Sequence, residues 1–142
     1  MRVIQNVGEA AALLARGGLL VFPTETYYGL GCDPWQGEAV ARLLALKGRP
    51  EGQALPLVAG EVEQVELAAP GWTGVASAER LARGYWPGPL SLVLDAAGDL
   101  APGVAAEDGS VAIRVSSHPV AAELARRLGR PVVATSANLS GS

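Results

Sequence analysis

Gly18-Leu19-Leu20-Val21-Phe22-Pro23-Thr24-Glu25-Thr26-Tyr27-Tyr28-Gly29-Leu30-Gly31 changes character at Pro23. From Gly18 to Phe22 it is a short apolar run, the pattern of a buried strand. From Pro23 to Pro34 it reads as a loop rich in hydroxyls and glycine. At a strand end alternate side chains point the same way, so Thr24 and Thr26 are expected to face one cavity. Gly29 and Gly31 let backbone approach a ligand closely. The competing reading is an ordinary turn held by threonine hydroxyls.

Two more polar segments interrupt the apolar pattern: Lys47-Gly48-Arg49-Pro50 and Thr135-Ser136-Ala137-Asn138-Leu139-Ser140-Gly141. With Arg114, the three segments collect hydroxyls, a carboxamide, glycines and cations. That set suits an anionic, nucleotide-type ligand.

Working outward, Gly8 to Arg16 reads as a helix stopped by Gly17-Gly18. Glu38 to Lys47 carries Val40, Leu43, Leu44 and Leu46 at helical spacing. Leu55 to Ala59 reads as a strand, and Val62 to Leu67 and Val75 to Tyr85 as helices. Pro87-Gly88-Pro89 breaks the chain before a strand at Leu90 to Leu94, and Asp95 to Gly109 reads as a loop. Val111 to Val115 is a strand, Pro119 to Leu128 a helix with Pro in its first turn, and Val132 to Thr135 a last strand. Alternating helices and strands predict an α+β, α/β-like domain: a mixed sheet covered by helices. A chain of 142 residues fits one domain, 1–142.

The composition is 49% hydrophobic and 18% charged, that of a globular chain. The net charge of −3 gives no support to a nucleic-acid binder, which usually carries a basic face. Cys32 is the single cysteine, so an intrachain disulfide and a cysteine metal cluster are excluded. An intracellular, cytoplasmic location is the expectation. No apolar stretch reaches about 18 residues, so no membrane helix is expected.

The candidate residues carry alternatives. Lys47, the only lysine beside ten arginines, falls in a last helical turn, two residues from Arg49. Together they offer a point charge and a planar fork for phosphate, or else a solvated basic tail after a helix cap. Arg114 lies inside an apolar strand and needs a partner if buried: an internal Asp or Glu, or a ligand carboxylate. Ser136, Asn138 and Ser140 suit phosphate oxygens or a base edge, or form a plain polar loop. His118, before Pro119, reads as a helix cap. Cys32 reads as a small buried side chain, and Trp35, Trp72 and Trp86 as packing residues too scattered to stack bases.

Five pieces in register resemble the YrdC family, whose enzymatic members are threonylcarbamoyl-AMP synthases of the TsaC type. They are Pro23-Thr24-Glu25-Thr26 with Tyr28-Gly29-Leu30-Gly31; Lys47-Gly48-Arg49-Pro50; Trp86-Pro87-Gly88-Pro89-Leu90; Val111-Ala112-Ile113-Arg114-Val115 with His118-Pro119; and Ser136-Ala137-Asn138-Leu139-Ser140-Gly141. The resemblance implies a twisted mixed sheet flanked by helices, with a large concave cavity. It implies a nucleotidyltransferase that makes threonylcarbamoyl-AMP and pyrophosphate from threonine, bicarbonate and ATP, with Mg2+ carried on ATP. Downstream transferase proteins would then modify tRNA.

By motif position, Thr26, Tyr28 and Arg114 look like threonine ligands. Lys47 and Arg49 look like the catalytic pair on the ATP phosphates and the carbamate. Gln53, Ser110, Ser136 and Asn138 look like nucleotide contacts, and no dedicated metal site is implied. Ala54 departs from a usual Pro, and Tyr27 from a commoner Val. The family continues past the position of Ser142 with a hydroxyl-bearing strand and an Arg that reaches ATP. The chain is therefore expected to be a C-terminally short form, with one wall of the nucleotide site open. A non-catalytic module binding tRNA or double-stranded RNA is the alternative. A carbamoyl-adenylate activity, as in hydrogenase-maturation carbamoyltransferases, ranks below both, because their acylphosphatase-like and zinc-finger segments have no counterpart in the sequence.

Overall fold

The computed structural model describes residues 6–48 and 52–137. Helix α1, Val7–Ala15, starts where the Asn6 side chain accepts the Glu9 N–H at 3.1 Å. That capping satisfies one of the free donors of the first turn. Helix α5, Pro119–Leu128, starts the same way: His118 Nδ1 accepts the Val120 N–H, and Gly129 ends the helix in the left-handed region. Their small faces, Ala10, Ala11 and Leu14 against Ala121, Leu124 and Ala125, form one core with Phe22, Val58, Val132 and Ala134.

Two sheets carry the rest. Strands β1, Leu20–Pro23, and β2, Tyr28–Gly31, form a hairpin whose far edge takes β7, Thr135–Ser136. The second sheet has the order β4-β5-β3-β6, from β3 Pro56–Ala59, β4 Leu92–Asp95, β5 Ser110–Val115 and β6 Val132–Val133. Strands β3 and β5 run parallel and the other pairs antiparallel, so the sheet is mixed as expected. Its other face, with Leu57, Ile113, Val133 and Leu94, packs on Val40 and Leu43 of α2, Gly37–Lys47, and on Ala78 and Ala82 of α4, Ala76–Tyr85.

The structure corrects three readings. The expected loop from Pro23 to Pro34 contains β2. Its glycines hide the strand signal, because a Cβ on Gly31 would sit 2.2 Å from the Val133 carbonyl oxygen. Glycine inside a strand often marks such a close backbone approach. The expected strand Val132 to Thr135 divides at Ala134 and serves both sheets. The expected helix Val62 to Leu67 is a 3-10 turn, Val62–Gln64, running into a short α3, Val65–Ala68. Gln64 fixes that corner: its Oε1 accepts the Gly60 N–H and its Nε2 donates to the Ala125 carbonyl.

The tryptophans pack. Trp72 and Trp86 meet with ring centroids 5.6 Å apart, and the Arg130 guanidinium lies 5.1 Å from the Trp35 ring. Arg130 also pairs with the fully buried Asp33. Cys32 is fully buried, and burial, with the Asp33 charge adding, pushes its thiol up to about 12. Among the described residues no helix is long and apolar enough to cross a membrane.

Candidate active site

The turn between β1 and β2 is built by Thr24. Its hydroxyl donates to the Tyr27 carbonyl at 2.6 Å and accepts from the Thr26 and Tyr27 N–H groups. Thr24 is thereby consumed in the turn, and the turn aims its neighbours at β5. Thr26 Oγ1 accepts from Arg114 Nη2 at 3.4 Å. Glu25 reaches past the strand end: its Oε1 accepts the Ser116 hydroxyl at 2.7 Å, and its Oε2 accepts the Ser117 N–H at 2.7 Å and hydroxyl at 2.9 Å. Burial alone would raise the Glu25 carboxyl, but the Ser116 and Ser117 hydrogen bonds outweigh it and hold the group down to about 2.

Arg114 is buried, with 4% of its surface exposed. Its Nη2 stands 3.6 Å from Glu25 Oε1, its guanidinium lies 5.8 Å from the Tyr27 ring centre, and its Nε has no hydrogen-bond partner among the described residues. A buried, incompletely satisfied guanidinium is costly unless something completes it. Tyr27 is held in place by its hydroxyl, which donates to the Ala134 carbonyl at 2.8 Å. Tyr28, read as a threonine ligand, begins β2 with 66% of its surface exposed, so Tyr27 is the residue that covers Arg114.

Lys47 ends α2 and is buried, not solvated. Gly48 takes the left-handed cap, and Lys47 Nζ donates to the Ser136 carbonyl at 2.8 Å. Ser136 pairs with Gly29 across β2 and β7, and the Ala137 N–H donates to the Tyr28 carbonyl. One short strand therefore joins the lysine end of α2 to the hairpin that carries Thr26. Gln53 is exposed, in a segment whose Gly52 carbonyl accepts from Glu107 N–H and whose Leu55 N–H donates to Val104. Ser110, at the opposite end of β5 from Arg114, donates its hydroxyl to Asp108 at 2.6 Å. Four strand residues place it roughly 13 Å from Arg114 along the strand. Arg49 and Asn138 lie outside the described residues, as do Ser140 and the rest of residues 138–142.

The structure thus brings Thr26 and Arg114 together, adds Glu25, Tyr27, Ser116 and Ser117 around them, and sets Lys47 with Ser136 in a second cluster. A Glu between two threonines in a turn gives no sequence sign of its target, which is 91 residues away. Among the described residues no group of three or more His, Cys, Asp or Glu could hold a metal ion.

The chain is similar to known proteins in sequence and in fold. The Sua5/YciO/YrdC family model, described as telomere recombination, matches residues 12–142. The chain belongs to this family. A threonylcarbamoyl-AMP synthase of Halorhodospira halophila is 46% identical over 139 residues, which cover 95% of the chain and 70% of that protein. One from Vibrio cholerae is 38% identical over 148 residues, covering 99% and 75%. Among solved structures, Sua5 of P. abyssi complexed with L-threonine superposes with a TM-score of 0.87 at 38% identity, over 96% of this chain and 39% of that one. YciO of E. coli gives 0.83 at 26% identity, over 96% and 65%. The chain thus spans about three quarters or less of each of these family members, and well under half of the Sua5 chain.

Proposed function

We propose that this chain is an L-threonylcarbamoyladenylate synthase acting as a single domain. Threonine and bicarbonate form a carbamate with loss of water, the threonine nitrogen bonding to the bicarbonate carbon. A carbamate oxygen then attacks the α-phosphate of ATP, and pyrophosphate leaves. Such chemistry asks the protein to position two anions and to neutralise charge as it develops, with no nucleophilic side chain required. Mg2+ arrives on the triphosphate as part of the substrate.

The observation that carries this reading is Arg114. Its neighbouring carboxylate already accepts three hydrogen bonds from Ser116 and Ser117, and its Nε has no partner among the described residues. A substrate carboxylate is the group that would complete it, with Thr26 beside it for a hydroxyl or amine. Lys47 and Arg49 take the phosphates and the carbamate. Gln53, Ser110, Ser136 and Asn138 are assigned to nucleotide binding, and Tyr28 to the threonine end. The product passes to transferase proteins that modify tRNA, which places the reaction in the cytoplasm. The net charge of −3 weighs against direct capture of tRNA or double-stranded RNA as the main function.

The test is pyrophosphate release from ATP and bicarbonate, with and without threonine, beside a Lys47→Ala variant. Threonine-dependent release that the variant loses is the expected result. Release that ignores threonine, or that the variant keeps, would refute the assignment.

A further inference from the structure

A cavity of about 810 Å3 opens between α4 and α5, beyond the carboxyl ends of the parallel strands β3 and β5. None of Thr26, Lys47, Arg114 or Ser136 lines it. Its volume falls in the range of small-molecule sites, and crevices beyond parallel strand ends are where open sheets usually bind ligands. Trp86 supplies the aromatic wall, with the buried Trp72 packed behind it at a 53° tilt, and Ala82, Ala122 and Val115 keep the space beside it open.

The charges on its walls are balanced. Glu61 and Glu79 face Arg83 and Arg126. Arg83 is paired with Glu79 at 2.7 Å, and Arg126 with Glu123 at 3.4 Å. Two glutamates and two arginines line the cavity, so its walls carry no net charge to favour an ion of either sign. The hydroxyls on the floor are also polarised in one sense. Ser116 and Ser117 both give their protons to Glu25, and Ser116 also accepts the His118 N–H. What remains on Ser117 is lone pairs, which call for a ligand N–H. Aromatic walls favour a flat partner, since tilted or offset rings add to the gain from burial.

We propose that this cavity is a second binding site, for a flat, uncharged nitrogen heteroaromatic of aminopurine size that stacks on Trp86, in front of the buried Trp72, and donates to Ser117. The site borders the Arg114 cluster through Ser116 and Ser117 but takes none of Thr26, Lys47, Arg114 or Ser136, and its occupancy does not require the synthase reading to hold.

The chain has three tryptophans, so its indole N–H resonances report the site directly, with Trp35 as the internal control and a Trp35→Phe variant to assign them. The 15N-labelled full chain is titrated with 2-aminopurine. Saturable shifts of the Trp72 and Trp86 resonances, with Trp35 still, are expected at millimolar ligand or below. They should persist in the presence of saturating threonine. Thr73→Phe, an exposed substitution at the rim, and Ala122→Leu, which fills the space from α5, should each weaken binding at least tenfold while the remaining spectrum stays folded. The proposal is overturned if no saturable shift occurs, if threonine suppresses the shifts, or if a folded rim variant binds as well as the parent chain.

Discussion

Glu25 and Arg114 stand 3.6 Å apart, carboxylate to guanidinium, yet the carboxylate makes its three shorter bonds to Ser116 and Ser117. The acid is therefore anchored first to the loop after β5, and the arginine keeps unspent hydrogen-bonding capacity. Replacing the acid by its amide keeps the shape but turns one acceptor into a donor facing serine donors. Glu25→Gln is expected to raise the KM for threonine about tenfold, the factor that ~1.4 kcal/mol represents. The KM for ATP should move little, and steady-state kinetics with each substrate varied will decide. An unchanged threonine KM would show that Glu25 only shapes the turn.

The same carboxylate carries a pH signature. Its pKa is about 2 in the folded chain against an ordinary 4.5. The folded form thus holds the proton less readily than the unfolded chain, so the stabilisation is complete above about 4.5 and is lost as pH falls toward 2. Chemical denaturation at stepped pH should show the parent chain losing stability across that window more steeply than Glu25→Gln. Parallel curves would refute it.

Lys47 is the one buried ammonium described, and it is held at the Ser136 carbonyl. Lys47→Ala should lower the rate of pyrophosphate release at least a hundredfold, the scale on which charge-stabilising groups act. The circular dichroism spectrum should remain folded. Lys47→Arg retaining most of the rate would show that charge alone suffices at that position.

Cys32 gives the opposite sign. With a thiol at about 12 and no exposed surface, it should resist alkylation by maleimide at pH 8 in the native chain and react fully in denaturant. Because the folded thiol binds its proton more tightly than the ordinary 9.0, its contribution to stability is constant below about 9 and is lost as pH rises toward 12. Rapid native labelling at pH 8 would contradict the burial.

Gly31→Ala tests the close approach of the hairpin to residue 133. The added Cβ would meet backbone oxygen at 2.2 Å and the Phe22 ring at 2.6 Å, and neither can step aside cheaply. A loss of about 1–3 kcal/mol is expected from urea unfolding, the usual range for overpacking. A loss below ~0.5 kcal/mol would mean that the hairpin lifts freely.

Helices α1, α2 and α5 were legible because glycines stop them where their packed faces end, and α4 because Pro87 breaks the chain just after it. Arg114 was legible because a guanidinium within Val111 to Val115 demands a partner. What the sequence hid was long-range. Strand β2 spends every second position on glycine, and Gly31 answers to a neighbouring backbone. Glu25, Ser116 and Ser117 became a unit only through the pairing of distant segments. Tyr27 and Tyr28 are adjacent in the chain, and only the turn held by Thr24 decides which of them covers the arginine.

Residues 132–136 belong to both sheets, and the break at Ala134 is where their carbonyl and amide groups change partners. The lysine cluster and the arginine cluster consequently hang from a single length of backbone. Neither can drift without dragging the other, so the spacing between the two anion-facing ends is kept by covalent continuity, as by a rule cut to length.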